Sequence, residues 1–127
     1  MIQKGCYLKV IDNSGAKIVF CIRLISKANK RYAFIGDLLL VSVKSLRTKR
    51  RFAAKVKPGT LIRALIVRTK NTKCYLFGDN LKFYENSVVL LNKQNKLLGT
   101  RIFGLLPNSL RYTRFMKLLA VCTGTRD

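Results

Sequence analysis

Apolar residues in this chain recur mostly at every second position, which is the period of a β-strand and not of a helix. The stretch AKIVFCIRLI, residues 16 to 25, shows the pattern and predicts a strand with one buried face. The predicted inward side chains are Ile18, Phe20, Ile22 and Leu24, and the predicted outward ones are Lys17, Val19, Cys21 and Arg23. The alternation therefore predicts a chain that is mainly β.

Further strands follow along the chain, separated by frequent turn signals. The stretch DLLLVSVKS puts Leu39, Val41 and Val43 inward, TLIRALIVRT reads as another strand, and YLKVI, LKFY and SVVLL are shorter candidates. Between them lie the turn signals DNSG, IGD, KPG, FGDN and ENS. Short strands with such frequent turns favour a small closed β-barrel, because closure leaves few free strand edges.

Only the last part of the sequence reads as helical. After Pro107, the stretch NSLRYTRFMKLLAV begins with a capping residue, Asn108 or Ser109. Short helical turns there would lay four apolar side chains on the barrel, namely Leu110, Phe115, Leu118 and Leu119. Because no repeat, low-complexity tract or linker interrupts the chain, we expect a single domain over residues 1 to 127.

The charge balance points to a polyanionic partner. Lys and Arg number 26 against five acidic residues, which gives a net charge of +21 and a sequence pI near 10.6. Such a charge repels itself unless it meets a polyanion, while a hydrophobic fraction of 49% argues against a disordered basic tail. A cationic membrane-surface protein would need a basic amphipathic helix, and the alternation here is a strand's. Nucleic acid is therefore the predicted partner.

The densest basic segment is KSLRTKRRFAAKVKPG, residues 44 to 59, in which seven of sixteen residues are basic, none is acidic and Phe52 lies among the cations. Because the strand pattern stops near Lys44 and resumes near Thr60, the segment is predicted to project from the barrel and to bind phosphates. A solvated surface loop is the alternative. The predicted RNA-binding residues are Lys17, Arg23, Lys30, Arg31, Lys44, Arg47, Lys49, Arg50, Arg51, Lys55, Lys57, Arg68 and Lys70.

Catalytic chemistry finds little support in the sequence. The chain has no histidine to serve as a base, and most of its five acidic residues lie in turn contexts. The four cysteines are far apart and form no CxxC, so a zinc site is discounted and free thiols are expected. We therefore predict a protein that is not an enzyme and needs no cofactor or metal.

Two short motifs are weak when taken singly. DNSGAK, residues 12 to 17, predicts a hairpin turn in which Asp12 and Asn13 bond nearby backbone amides and Gly15 takes a positive φ. GTRIFG, residues 99 to 104, predicts a glycine-bounded strand and lacks the Lys-Ser/Thr ending of a phosphate-binding loop.

Taken together, many such pieces resemble one family in the same order along nearly the whole chain. They are MIQ, DNSGA, CI, RYA, GD, KVKPG, VRTK, VLLN, GTRIFG, LR and FMK, and they resemble the large-subunit ribosomal protein L-fourteen family. The resemblance implies a five-stranded β-barrel with a protruding basic ribbon and a short C-terminal helical segment. It further implies a structural constituent of the large ribosomal subunit that binds large-subunit rRNA and lies at the interface with the small subunit.

The resemblance also implies specific neighbours. These are the ribosomal proteins L-three and L-nineteen, the small-subunit rRNA across the interface, and a ribosome-silencing factor whose docking site maps onto Thr100, Arg101 and Lys117. The whole predicted protein interface comprises Thr100, Arg101, Phe103, Arg111, Arg114 and Lys117. The alternative function is a free single-stranded nucleic-acid-binding barrel protein, which stacks bases on outward aromatic residues. The predicted inward position of Phe20 disfavours it.

The sequence departs from the family pattern at three places. Residues 45 to 54 are longer and more basic, the tail LAVCTGTRD differs, and CYLF, residues 74 to 77, occupies a hairpin tip where relatives carry basic and turn residues. This apolar tip predicts either a contact with another protein or an extension of the core. The chain starts where bacterial relatives start, and its bias toward Leu, Lys, Phe, Ile, Asn and Tyr indicates an AT-rich genome. Together with the altered surface loops, these features predict a mitochondrial ribosome, with bacterial cytoplasm and plastid as alternatives.

Overall fold

The computed structural model of this protein describes residues 1–26, 30–50 and 53–126, with the backbone alone at Arg50. The strands are β1 Tyr7–Val10, β2 Ala16–Leu24, β3 Leu38–Leu46, β4 Leu61–Arg68, β5 Lys73–Cys74, β6 Asn80–Leu81, β7 Ser87–Leu91, β8 Ile102–Pro107 and β9 Cys122–Arg126. The helices in this part of the chain are short: two 3-10 helices, Thr48–Arg50 and Asn108–Tyr112, and one α-helix, α1 Lys117–Val121. None of them is long and apolar enough to cross a membrane.

Five of the strands close into a barrel in the order β1, β2, β3, β4, β7. Neighbouring strands are antiparallel except at the seam, where β1 runs parallel to β7 with Lys9 opposite Ser87 and Val10 opposite Val88. The predicted fold class is therefore confirmed: the chain is mainly β, with a closed five-stranded barrel and a short C-terminal helix.

The barrel interior holds one hydrophobic core made by alternate residues of its strands. The prediction for β3 is confirmed, since Leu39, Val41 and Val43 all point into this core. The other core residues on the strands are Leu8, Val10, Ala16, Val19, Cys21, Leu24, Ala64, Ile66, Val88 and Leu90.

The prediction for β2 was right for Leu24, which lies in the core, and wrong for residues 19 to 22. Val19 and Cys21 are fully buried in the barrel, whereas Phe20 is half-buried and Ile22 is exposed. The cause lies in the pairing with β3, whose register shifts at three places: between Ala16 and Ile18, between Ile18 and Val19, and between Cys21 and Arg23. Because each shift inserts a residue, it reverses which side chains face the core, and the simple alternation fails.

A second core lies outside the barrel, on the outer face of β4 and β7. Leu65 and Val67 of β4 and Val89 and Leu91 of β7 are buried there by the C-terminal segment. As predicted, Leu110, Phe115 and Leu118 are buried against the barrel and Leu119 packs beside them. These two strands are therefore covered on both faces.

The C-terminal segment differs from the sequence prediction in two details. The first 3-10 turn after β8 is preceded by Pro107, and no side chain caps it, so neither Asn108 nor Ser109 acts as the cap. The tail also forms an unpredicted strand, β9, which pairs in parallel with β8 from Ile102 opposite Cys122 to Pro107 opposite Arg126. Threonine and glycine residues in CTGTR carry no hydrophobic alternation that could have indicated it.

Candidate nucleic-acid interface

The turn between β1 and β2 is built by Asp12, which is fully buried. Its carboxylate accepts hydrogen bonds from the backbone N–H and hydroxyl of Ser14 and, at 3.0 Å, from the backbone N–H of Leu90 in β7. Gly15 has φ of 99°, as the DNSG motif predicts, and a Cβ there would lie 2.6 Å from the Cβ of Ala54. The motif therefore joins the turn to the barrel seam and to the basic connection.

Asn13 bonds distant amides and not the nearby ones that the sequence predicts. Its Oδ1 accepts from the backbone N–H of Thr100 at 2.7 Å and of Arg101 at 3.2 Å, and its Nδ2 donates to the Thr100 hydroxyl. A Cβ at Gly99 would lie 2.7 Å from Asn13 Oδ1, so glycine is needed for this close approach. The turn thereby positions two residues of the predicted protein interface.

The basic connection between β3 and β4 is attached to the barrel at both ends. Arg47 donates from Nη2 to the carbonyl of Val10 at 2.9 Å and lies over the ring of Phe103. Lys55 donates from Nζ to the carbonyl of Leu98, and Val56 is buried in the barrel core. In its described residues the connection forms a 3-10 turn and loops. Its two ends pack on the barrel through Arg47 and Lys55 and do not project freely from it. Arg51, Phe52 and the Arg50 side chain lie outside the described structure.

The outer face of β1, β2 and β3 is left open to solvent and carries aromatic and basic side chains. Tyr7, opposite Phe20 in the strand register, is 65% exposed, and the two ring centroids lie 5.2 Å apart at an interplanar angle of 62°. The Lys44 Nζ lies 5.3 Å from the Phe20 ring centroid, within cation–π range. We call Tyr7, Lys9, Lys17, Phe20 and Lys44 the aromatic–basic face.

An open cavity of about 330 Å³ adjoins this face. Tyr7 and Ile18 line it together with three lysines, Lys9, Lys17 and Lys70. Lys9 is held by Glu85, with 2.8 Å between Lys9 Nζ and Glu85 Oε2. The remaining lysines therefore bring positive charge to a cavity that has an aromatic wall.

A larger cavity of about 730 Å³ opens on another side of the barrel, at the end of the basic connection. Its apolar wall includes Leu40 and Leu61, and its cations come from two regions of the chain: Lys55 and Lys57 from the connection, and Arg63 and Lys93 from β4 and the loop after β7. Basic residues thus surround more than one cavity.

Arg68 occupies a different kind of site from the other predicted RNA contacts. Its side chain is 11% exposed and donates to the carbonyls of Leu105 and Phe103 and, at 2.8 Å, to Glu85 Oε1. A Cβ at Gly104 would overlap its guanidinium, and Gly104 has a φ of 83°, so a side chain there would displace Arg68 and strain the backbone. Arg68 therefore fastens β8 to β4, and its role as an RNA contact stays a prediction.

The Glu85 carboxyl sits between two of these cations. Burial alone raises its pKa, but the hydrogen bond from Lys9 and the charges of Lys9 and Arg68 outweigh burial and lower the pKa below its usual value. The carboxylate is therefore ionised at neutral pH and links β1 to β4.

The other predicted RNA contacts that the structure describes reach the surface at several places. Arg47 is half-buried, and the exposed residues are Lys17, Arg23, Lys30, Arg31, Lys44, Lys49, Lys55, Lys57 and Lys70. They are spread over β2, β3, the basic connection and the loops after β2 and β4. This spread suits a partner that surrounds much of the barrel.

The predicted protein-interface residues are positioned by β8 and the C-terminal helices. Phe103 is half-buried under Arg47, and the other five are exposed: Thr100, Arg101, Arg111, Arg114 and Lys117. Cys122 directly follows α1 and pairs with Ile102, the first residue of β8. Thr100 and Arg101, which precede β8, therefore lie near the C-terminal end of that helix.

Sequence reasoning missed Tyr7 and Lys9, and placed Phe20 on the wrong face. Tyr7 carried a weak signal, because a tyrosine between two lysines in YLK and KGCY suits an exposed strand position. The position of Phe20 depends on a register shift that no local pattern indicates.

The cysteines play no visible part in these sites. All four are free, and burial, with a smaller effect of Cys6, raises the pKa of the Cys21 thiol to about 11. Among the described residues, no group of three His, Cys, Asp or Glu side chains could hold a metal ion.

Comparison with known proteins identifies the family. The family described as ribosomal protein L14p/L23e matches residues 1–125 of the chain. The chain belongs to the ribosomal protein L14p/L23e family. It is also 41% identical over 121 residues to the large ribosomal subunit protein uL14 of Carsonella ruddii (strain PV), which covers 95% of this chain and 96% of that relative. The resemblance inferred from the motifs is thereby confirmed.

In this L14p/L23e chain, two of the motifs that carried the resemblance make contacts that hold the fold together. DNSGA closes the barrel seam through Asp12, and GTRIFG holds Gly99 against Asn13 and Gly104 against Arg68. These contacts join the barrel to the segment that covers β4 and β7.

Proposed function

We propose that this protein is a structural constituent of the large ribosomal subunit, that it binds large-subunit rRNA mainly through phosphates, and that it lies at the interface with the small subunit. The observation that carries the proposal is family membership over residues 1–125. The net charge of +21 and the exposed cations on many sides of the barrel support burial in nucleic acid. Its role is then architectural and not enzymatic.

The proposed protein neighbours follow from the family resemblance. The residues around the start of β8 and α1 would meet the ribosomal proteins L-three and L-nineteen or a ribosome-silencing factor, and the nearby surface would meet small-subunit rRNA. What supports this is the exposure of Thr100, Arg101 and Lys117, of which the first two are held by Asn13.

The compartment stays a prediction. The relative from Carsonella ruddii is bacterial, which is compatible with a bacterial cytoplasmic ribosome and does not support the predicted mitochondrial one. Fractionation of the source cells, with the protein followed by an antibody, would decide between the two.

The direct test is co-sedimentation with ribosomal subunits before and after a high-salt wash. We expect the protein to remain with the large subunit, and we expect its affinity for isolated large-subunit rRNA to fall ~10³ to 10⁵-fold between ~50 and ~200 mM salt if roughly six to ten phosphates are neutralised. A flat salt response would overturn phosphate binding.

The basic connection is tested by changing Lys49, Arg50 and Arg51 together to Gln. Arg47 is left in place because its guanidinium bonds the barrel at Val10. We expect a folded protein with weaker rRNA binding and a salt slope reduced by up to about one unit per lost phosphate contact. The matched control neutralises three exposed lysines outside the connection and its cavity, Lys4, Lys82 and Lys96. Equal behaviour of both variants would identify the connection as a solvated loop.

One observation favours the second candidate, a free single-stranded nucleic-acid-binding barrel. The outward Tyr7 and Phe20 supply the aromatic surface that such proteins use for stacking. In that case the protein would sediment apart from the subunits in the same experiment.

A further inference from the structure

Tyr7 and Phe20 form an aromatic pair on a part of the barrel that nothing in the described structure covers. Their rings are inclined by 62°, so they meet edge to face and do not stack flat on each other. The pairing orders the Tyr7 ring on a rigid strand while 65% of the residue stays exposed. An ordered, exposed ring is a surface on which a planar group can stack.

The charges around this ring select the kind of planar group. Lys17 and Lys70 line the cavity next to Tyr7, and Lys44 lies over Phe20. Lys9 also lines the cavity, but its charge is matched by Glu85 at 2.8 Å. An aromatic wall with lysines at its rim fits a base attached to phosphates.

We propose that the aromatic–basic face holds one unpaired nucleotide of the rRNA, with its base stacked on Tyr7 and its flanking phosphates on Lys17 and Lys70. The inference rests on the proposed rRNA binding and adds a contact to a base, where the dispersed lysines contact only the backbone. Phe20 is the positioning residue, because it orients Tyr7 and is itself held by Lys44.

The site is expected to tolerate any base. Stacking uses the face that all four bases share. Among the described residues that line this cavity, the one side-chain amide is Asn86, and its Oδ1 already accepts from the backbone N–H of Lys70. The structure described here therefore supports recognition of an extruded nucleotide and not of a sequence.

The experiment uses large-subunit rRNA, the intact protein and a reagent that acylates the 2′-hydroxyl of flexible nucleotides, so that a nucleotide whose base is stacked is protected even though its base edges are free. Tyr7→Val and Tyr7→Leu both remove the ring, Val keeping strand propensity and Leu keeping apolar bulk, while Tyr7→Phe retains it. The matched control is Tyr112→Val, because Tyr112 is 87% exposed on the Asn108–Tyr112 helix. Thermal unfolding checks each variant.

We expect the unaltered protein to protect at least one unpaired nucleotide, and both ring-removing variants to lose that protection with affinity roughly five- to 150-fold weaker. Tyr7→Phe and Tyr112→Val should keep both. The salt slope should stay constant in Tyr7→Val, because no charge is lost, and should fall by up to about two units when Lys17 and Lys70 are changed to Gln.

The failures are distinguishable. Steep, salt-dependent rRNA binding with nucleotide protection and affinity unchanged in Tyr7→Val and Tyr7→Leu would overturn this inference and leave the proposed function standing. Absence of rRNA binding by the unaltered protein would overturn both. Unfolding of both variants would show that Tyr7 is a structural residue, and competition by millimolar adenosine monophosphate alone would show a site for free nucleotides.

Discussion

The two outer faces of the barrel have opposite fates. Outward residues of β4 and β7, such as Leu65 and Val89, are completely buried under β8 and the C-terminal helices. Outward residues of β1 to β3, such as Tyr7, Phe20 and Lys44, keep contact with solvent. Both sets of strands share one inner core, so the difference lies in the residues on their outer faces. The apolar outer face of β4 and β7 is covered by the chain's own C-terminal segment, whereas the aromatic and basic outer face stays available to a partner.

The largest expected effect comes from breaking the covered face. Leu106 is fully buried, and Leu106→Ala should reduce the free energy of unfolding by about 2–5 kcal/mol, because it removes apolar contacts and leaves a cavity. Its neighbour Leu105 is 45% exposed, so Leu105→Ala is the matched control and should cost about 1 kcal/mol or less. Urea unfolding measures both. Equal losses would show that the C-terminal segment does not cover the barrel as described.

A second comparison separates two basic residues that differ in burial. Arg68→Leu leaves the carbonyls of Phe103 and Leu105 without their donor and should destabilise the fold by about 1–3 kcal/mol. Lys70→Gln, on the exposed side, should leave stability within about 0.5 kcal/mol and lower the salt slope of rRNA binding by up to about one unit. A reduced slope in a folded Arg68 variant would support the prediction that this residue also contacts RNA.

The ion pairs of Glu85 make a smaller contribution that depends on pH. Its folded-state pKa is lowered, so the contribution is present above the unfolded pKa of about 4.3 and disappears as pH falls through the folded value. Since the carboxylate is one-third exposed, each pair should contribute roughly 0.2–1 kcal/mol. Urea midpoints between about pH 7 and pH 3 should fall more in the unaltered protein than in Glu85→Gln; parallel curves would contradict the linkage.

The smallest effect on stability is expected at the apolar tip between β5 and β6. Leu76 and Phe77 are almost completely exposed, which favours a protein contact over an extension of the core. Phe77→Ser should therefore change the free energy of unfolding by less than about 0.5 kcal/mol while lowering incorporation into ribosomal particles. Tyr75, half-buried beside Lys73, should be more sensitive to the same change. A clear drop in the melting temperature of Phe77→Ser would favour the core alternative.

Strands and barrel closure could be predicted because the relevant signals are local. In β3 the core residues Leu39, Val41 and Val43 follow the period of two that the sequence predicts, and turns such as DNSG separate the strands plainly. The runs ALIV and VVLL in β4 and β7 also carry the information that these strands are covered on both sides, since they break the alternation with continuous apolar residues.

The remaining features depend on contacts between distant residues. Register shifts in the pairing with β3 decide the orientation of Phe20, and Asn13 bonds Thr100 and Arg101. Lysine and arginine counts predicted a basic surface but not which cations the protein itself uses. Arg68 and Lys9 differ from Lys70 through contacts with distant residues, namely Glu85 for both and the carbonyls of Phe103 and Leu105 for Arg68.

The parallel seam between β1 and β7 has a consequence for the order in which the molecule forms during synthesis. The first 46 residues contain β1, β2 and β3, which pair with one another and carry the aromatic–basic face. The seam needs residues that the ribosome adds much later, since Asp12 bonds Leu90 across 78 positions. Contacts so distant in sequence close slowly. We expect pulsed hydrogen exchange to protect the Val19 amide before the Leu90 amide, so that a nascent chain displays its basic sheet to RNA while the barrel is still open.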